Sequence, residues 1–416
     1  MSFLNFNLSS LLSETSIALI FLIILSLLLY KNKDKLKIQK IVFPFLYMIL
    51  YKAKWGIKSM DKIAKKYPKL VGFFGISGIY TGVIGMVLIL GMLTVSFVKA
   101  FITPTGVSGV AIAQPFVKTS FGSPFFYIPF SYFIVAIFII ATVHEFAHGV
   151  VARLYNVKIK SSGFAFFSVL IPILPAAFVE PDNKQVKKLP VMKQMAIFAA
   201  GPMSNIVLAA ILFLVMFGIN TGLNDVTDTN VRILNYTVFE DNVTYPAEIA
   251  QIDLGGNLIM LDDTNISSLK DFTRFMKSTS AGQNITVVTN YTTYNVTLVA
   301  HPQGMDTGYL GLIATDVNEY KPEFKEKYAV IVPIMEWLFG LLIILFMFNL
   351  GVGLMNLAPL GGLDGGQMVL AFLRTKFDEK KSIAIWGRIS LFTLFILLGN
   401  IFLPMIIKAI TKLMTL

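Results

Sequence analysis

The chain has no cysteine, only three histidines, and few charges. Asp, Glu, Lys and Arg make up 14% of its 416 residues, against about 25% in an ordinary soluble chain. The missing cysteine excludes a disulfide framework, a thiolate nucleophile and every cysteine-based metal site. Any histidine chemistry must use His144, His148 or His301. With 55% hydrophobic residues and a mean hydropathy of +0.71, a soluble, disordered or fibrous chain is excluded. No stripe of interleaved basic and aromatic residues supports nucleic acid as a partner.

What charge there is lies unevenly. The formal net charge is +11, yet residues 220–328 hold 14 acids and 7 bases. Segments 31–69, 153–193 and 374–388 hold 24 of the 35 Lys and Arg residues. This is how a membrane protein with one basic, cytoplasmic side distributes charge. Apolar runs at about 15–30, 70–101, 126–152, 193–219, 329–355 and 383–407 predict six spans. The fold class expected is therefore a polytopic α-helical membrane protein. Residues 41–51 are too short to span and contain Pro44, so an interfacial or re-entrant piece is expected there. Residues 102–125 read as an outer loop.

Residues 159–181 are apolar but interrupted by Gly163, Pro172, Pro175 and Pro181. They join two spans that both end inside, so a re-entrant hairpin is expected, held in protein or a wet cavity. An exposed edge of it could pair with an extended substrate; a packing lid is the plainer alternative. Residues 220–328 form the one large soluble region. NITVVTN and YNVTLVA read as strands, and SSLKDFTRFMKS as a helix. Six N-x-[ST] sequons, at Asn235, Asn242, Asn265, Asn284, Asn290 and Asn295, fit an outer location, although Asn- and Thr-rich strands produce sequons by composition alone.

The chemistry gathers elsewhere. His144-Glu145-Phe146-Ala147-His148 fits H-E-x-x-H. The i, i+4 spacing puts two imidazoles on one helical face, where neutral nitrogens bind one Zn²⁺ and the glutamate reaches the attacking water. A catalytic zinc needs a third protein ligand and an open position. His301 lies beside Pro302 in the soluble region and reads as a surface residue. The carboxylate candidates are Glu336 and Asp364. Asp364 sits in Asn-Leu-Ala-Pro-Leu-Gly-Gly-Leu-Asp-Gly-Gly, residues 356–366, where Pro359 and the glycines break a helix. A broken helix with an aspartate at membrane depth reads as an ion site, and the two histidines favour Asp364. Asn205 closes Phe198-Ala-Ala-Gly-Pro-Met-Ser-Asn205. It is either a donor to a developing oxyanion or interhelical hydrogen-bond glue.

These motifs, in this order, resemble the site-2 protease family of intramembrane zinc metalloproteases. The resemblance rests on HEFAH at 144–148, F-x-x-A-G-P-x-x-N at 198–205 and N-x-x-P-x-x-x-x-D-G at 356–365. It divides the chain into a two-span amino-terminal region (1–125), a first core half (126–219), an extracytoplasmic insert (220–328) and a second core half (329–416). The insert resembles a PDZ domain, with GYLGL at 308–312 like its carboxylate-binding loop; Gly255-Gly256-Asn257 departs from the usual Gly-Asp pair. The resemblance implies one zinc ion held by His144, His148 and Asp364, with Glu145 as general base. It further implies Asn205 supporting the scissile carbonyl or oxyanion, and Asn356 contacting substrate backbone. The implied substrate is a transmembrane segment of a membrane-anchored protein, already trimmed outside. Other readings are a membrane zinc peptidase of another class and a zinc transporter or sensor. The lack of cysteine and the compact length point to a prokaryotic plasma membrane, with the active site near the cytoplasmic side.

Overall fold

The computed structural model describes residues 14–42, 46–102, 110–115, 125–168, 172–222, 226–237, 243–302 and 304–414. Pro44, much of the 102–125 loop, the tip of the 159–181 hairpin and the Asn242 sequon lie outside them. The chain divides into two compact units. One comprises Met1–Met216 with Trp337–Leu416, the other Phe217–Glu336.

The first unit starts with α1 (Glu14–Lys31), then β1 (Leu36–Val42), β2 (Leu46–Ala53), α2 (Ile57–Lys66) and α3 (Pro68–Ile102). Two short strands, β3 (Ile112–Gln114) and β4 (Phe125–Tyr127), pair in parallel before α4 (Phe130–Leu154). Strands β5 (Ile159–Ser168) and β6 (Pro172–Pro181) lead through α5 (Asn183–Lys188) into α6 (Val191–Gly222). In the second unit β7 (Thr227–Tyr236), α7 (Pro246–Ile249), β8 (Asn257–Leu261), β9 (Thr264–Asn265), α8 (Leu269–Lys277), β10 (Asn284–Thr289) and β11 (Thr293–Thr297) follow. Then come β12 (Val299–Ala300), β13 (Gly308–Tyr309), β14 (Leu312–Tyr320) and α9 (Pro322–Lys327). The chain ends with α10 (Ile331–Asn356), α11 (Asp364–Leu373) and α12 (Glu379–Met414).

Six of these helices, α1, α3, α4, α6, α10 and α12, are long and apolar enough to cross a membrane. Their outward faces stay apolar: Phe73, Val87 and Leu88 on α3 and Leu391 and Phe395 on α12 are exposed. Such a surface is stable in lipid and would aggregate in water. Lipid gives helices no hydrophobic reason to associate, so close packing of small residues must do it. On α3 the buried stripe Gly75, Gly78, Gly82 and Gly85 serves this purpose. A Cβ on Gly75 would lie 3.3 Å from Ala196 Cβ of α6, and one on Gly78 equally near Met203 Cβ. Further along, Gly82 and Gly85 accommodate Met368 and Leu357, which flank the break between α10 and α11.

The four-stranded antiparallel sheet runs β1-β2-β5-β6. Residues 41–51, read from sequence as an interfacial or re-entrant piece, are in part strand β2, pairing Met48 with Phe167 and Leu50 with Ala165. A short, wholly apolar run carries no alternation to mark it as a strand, and one of its two partners, β5, lies over a hundred residues away. The 159–181 segment is the hairpin β5–β6, and β6 is the strand that faces α4. Its open end, away from the tip, is fixed by charge. Lys52 Nζ donates to Glu180 Oε2 at 2.7 Å, and Ser161 Oγ donates to the same atom at 2.6 Å. The Lys52 hydrogen bond, helped by Ser161, holds the Glu180 carboxyl below the usual carboxylate range. Below the sheet, Arg153 at the end of α4 pairs with Asp61 of α2.

The second unit is built on a sheet ordered β11-β10-β8-β7-β14, with β9 on β8. Alternate residues Val231 and Ile233 (β7) and Ile285 and Val287 (β10) fill its core, joined by Leu258 and Leu261 of β8, which are three apart across an irregularity in the β8–β10 register. Helix α8 is capped by Ser268, whose side chain accepts the Asp271 N–H, as expected of serine before an amphipathic run. The Leu269 N–H donates to Asp316 Oδ1 of β14 at 2.6 Å, tying the helix to the end strand.

Candidate metal centre

The site begins with helical periodicity. His144 and His148 lie one turn apart on α4, facing inward, 8% and 9% exposed. Their Nε2 atoms are 3.1 Å apart. Asp364 Oδ2 lies 3.1 Å from the first and 3.4 Å from the second. These three side chains are the one group of metal-binding character among the described residues.

Asp364 reaches the histidines because α10 stops. The helix ends at Asn356, Leu360 N–H turns back to the Ala358 carbonyl at 2.7 Å, and Gly362 takes a φ of +94°. Asp364 then opens α11 in its first turn. The following glycines permit the return. A Cβ on Gly365 would overlap the Leu357 carbonyl oxygen, and one on Gly366 would overlap that of Leu360. Trp386 Nε1–H clamps the Gly366 carbonyl at 2.8 Å from α12.

Helix α6 supplies the outer contacts. His148 Nδ1–H donates to the Ile197 carbonyl at 2.6 Å. That bond places the ring proton on Nδ1 and aims the Nε2 lone pair at the cluster. The side-chain amide of Asn205 meets His144 Nδ1 at 3.1 Å. Between them Gly201 abuts both rings: a Cβ there would overlap His148 Nε2 and stand 2.7 Å from His144 Cδ2. Glu145 points to the β6 side, where the Val179 N–H donates to its Oε2 at 2.8 Å.

The donor set fits a divalent cation. Two neutral imidazoles and one carboxylate suit zinc, and three protein ligands leave one position open for chemistry. Tetrahedral ligation at about 2.0–2.1 Å spaces the donors roughly 3.3 Å apart, close to the three separations found. Two imidazole nitrogens and a carboxylate facing one another without a cation would otherwise need a shared proton to hold them.

Of the residues singled out from sequence, His144, His148 and Asp364 come together, with Asn205 against His144. Glu145 is adjacent on the same helix. Asn356 ends α10, half-buried, seven residues before Leu363 leads into α11. His301 instead stacks edge-on against Tyr309, 4.6 Å between centroids, in the second unit. Glu336 is exposed. Neither belongs to a metal-binding group among the described residues. Sequence reasoning missed three participants: the Ile197 carbonyl, Gly201 as space for both rings, and the Val179 N–H. Two are backbone groups, which any residue type carries. For Gly201, its place four residues before Asn205, on the same helical face, was the available clue.

The model of peptidase family M50 matches residues 132–397, a stretch holding both histidines, Glu145, Asn205, Asn356 and Asp364. The chain is similar to the uncharacterized protein MJ0971 of Methanocaldococcus jannaschii, 26% identical over 275 residues. That similarity covers 64% of each chain, so this chain spans somewhat under two thirds of that relative's length. With a family match across well over half its length, the chain belongs to peptidase family M50.

Proposed function

We propose that the chain is an intramembrane zinc metallopeptidase that hydrolyses peptide bonds within membrane-spanning segments of anchored proteins. The observation that carries this reading is the triangle of His144 Nε2, His148 Nε2 and Asp364 Oδ2, with both histidines on α4, a helix of membrane-spanning length, and the aspartate just after another, α10. His144, His148 and Asp364 would hold the zinc. Bound there, it supplies a Lewis acid for a carbonyl oxygen and makes a water acidic near neutral pH.

The chain's own groups do the rest. Glu145, on the helix that carries both histidines, takes the proton of the attacking water and delivers it to the leaving amine nitrogen. A helical substrate hides its peptide bonds in i to i−4 hydrogen bonds and must unwind before attack. Strand β6 offers a replacement ladder. Val179 lies opposite Ser162 in the β5–β6 register, yet its N–H turns outward to Glu145. The outer edge of β6 thus runs beside the catalytic carboxylate. Pro175 and Pro181 share that outward parity and carry no N–H, which leaves as donors nearby Ala177 and, once Glu145 releases it, Val179. A short pairing window beside Glu145 supports capture of an unwound peptide over one bond.

The second unit we read as a PDZ-like domain on the extracytoplasmic side. Its support is α8 beside the edge strand β14, with the Leu310–Gly311 turn leading into that strand and bonded back to Ala247 and Thr237. The acidic balance of 220–328, against the basic remainder, supports the outer location. In the same reading Asn356 contacts substrate backbone, the substrate arrives trimmed outside, the active site lies near the cytoplasmic face, and the membrane is a prokaryotic plasma membrane.

The test is the purified chain in lipid vesicles with a single-span substrate. Wild type cleaves within the span, whereas Glu145→Gln retains one zinc per chain and releases no fragment. Zinc uptake into the vesicles without cleavage by wild type would replace the peptidase reading with a transporter.

A further inference from the structure

The FAAGPMSN segment puts a primary amide against a ring nitrogen that no step above uses. Asn205 is fully buried on α6. Its Nδ2 lies 3.1 Å from His144 Nδ1, and its Oδ1 is buried without a hydrogen-bond partner. A neutral imidazole has one donor nitrogen and one acceptor. With the amide N–H donating to Nδ1, the ring proton must sit on Nε2. It then points at His148 Nε2 and Asp364 Oδ2, each 3.1 Å away. That arrangement holds a metal-free cluster together, but it leaves His144 no lone pair for a cation.

Ligation by His144 Nε2 moves the ring proton to Nδ1, where it needs an acceptor. Among the described residues the group within reach of Nδ1 is the Asn205 amide. An amide turned by half a revolution about its last torsion, a broad two-fold rotation, offers Oδ1 in the same place. The oxygen that now lacks a partner then gains one. His148 has the matching arrangement already, with the Ile197 carbonyl of the same helix accepting its Nδ1–H. Ligating histidines generally give their second N–H to such an acceptor, and its loss weakens metal binding.

We infer that Asn205 is a positioning residue: its Oδ1 accepts the His144 Nδ1–H in the zinc-loaded centre and so fixes the tautomer that ligates. The inference rests on the proposed zinc site and replaces the role of oxyanion donor for this side chain. Asn205 acts through His144, and both rings take their outer partners from α6.

The two roles demand opposite chemistry at position 205. An acceptor for Nδ1–H survives as a carboxylate, whereas an oxyanion donor does not. Zinc affinity is measured by chelator competition on the full chain in detergent, for wild type, Asn205→Asp and Asn205→Leu, with thermal melting as a control for folding. Asn205→Leu should bind zinc about 10–100-fold more weakly, and Asn205→Asp should stay within a few-fold of wild type. As a check free of any variant, wild type labelled with ¹⁵N-histidine has three rings to assign. Zinc loading should place the His144 proton on Nδ1. Wild-type zinc affinity in Asn205→Leu, or a zinc-loaded His144 protonated on Nε2, overturns the inference. So does equal loss of peptide cleavage in both variants at undiminished zinc affinity, which would return Asn205 to the substrate. Zinc binding that depends on Asn205, in a chain that cleaves no peptide, sinks the peptidase reading alone.

Discussion

Gly201→Ala adds one methyl group where two imidazoles converge. The new Cβ would overlap His148 Nε2 and lie 2.7 Å from His144 Cδ2, well inside van der Waals contact. The rings have little room to yield. His148 is anchored through Nδ1 to the Ile197 carbonyl, and His144 through Nδ1 to Asn205. Overpacking a site of this kind costs about 1–3 kcal/mol. If that cost falls on the loaded state, zinc affinity drops roughly 5- to 140-fold at 1.4 kcal/mol per decade. Gly218→Ala is the control, since nothing lies within 4 Å of a Cβ there, on the same helix. The assay is zinc retained per chain after equilibration with graded chelator, beside the melting temperature. Gly201→Ala should lose zinc at chelator concentrations that Gly218→Ala and wild type withstand. Equal zinc retention by all three would show that α6 does not abut the donor nitrogens, and the site as built here would fall.

The remaining predictions concern the other walls of the site. Asp364→Asn should weaken zinc binding by more than the roughly 10–100-fold typical of an outer partner and abolish cleavage; surviving zinc content would remove Asp364 from the ligand set. Gly365→Ala, whose Cβ meets the Leu357 carbonyl oxygen and lies 2.7 Å from that of Ala358, should displace Asp364 and lower the melting temperature, because backbone cannot step aside as a flexible side chain does. Glu180 has its carboxyl lowered in the folded chain, so its stabilising contribution is present above the ordinary carboxylate pKa and is lost as pH falls through the lowered value. The melting-temperature gap between wild type and Glu180→Gln should therefore be constant near neutrality and close on acidification; a gap that widens in acid reverses the sign argued here. Deleting 225–318 should leave the zinc content intact while changing which substrates are cut, as read by fragment analysis.

Much of the site was legible because it is made of rare side chains at fixed spacing. A chain with three histidines that places two of them at i, i+4 around a glutamate has little freedom of interpretation. Asp364 was legible because proline and glycine announce a broken helix whatever the tertiary structure. The six long helices followed from their apolar runs alone. Strand β2 did not follow, since an apolar run of that length fits a strand, an interfacial piece or a buried helix equally well. One side of it pairs with β1, but the other depends on β5, which supplies its ladder from beyond three intervening helices. The Val179 N–H was invisible for a related reason: every residue but proline has such a donor, and only register decides which one faces Glu145.

The part of the site that α6 supplies is its most regular. Ile197, Gly201 and Asn205 succeed one another every four residues on α6 and so form one ridge, drifting only about 40° per step. Along this ridge the Ile197 carbonyl meets His148, Gly201 makes room for both rings, and Asn205 meets His144. Residue numbers rise along α6 from His148 to His144, and along α4 from His144 to His148, so the two helices meet as antiparallel neighbours in complementary register. A one-residue slip of α6 would put Phe198 and Pro202 where the acceptor and the gap must be. The spacing of the histidines on one helix therefore dictates the spacing of acceptor, gap and amide on the other. Of these three, only the gap and the amide require particular residue types, which is why the sequence displays Gly201 and Asn205 but conceals what Ile197 does.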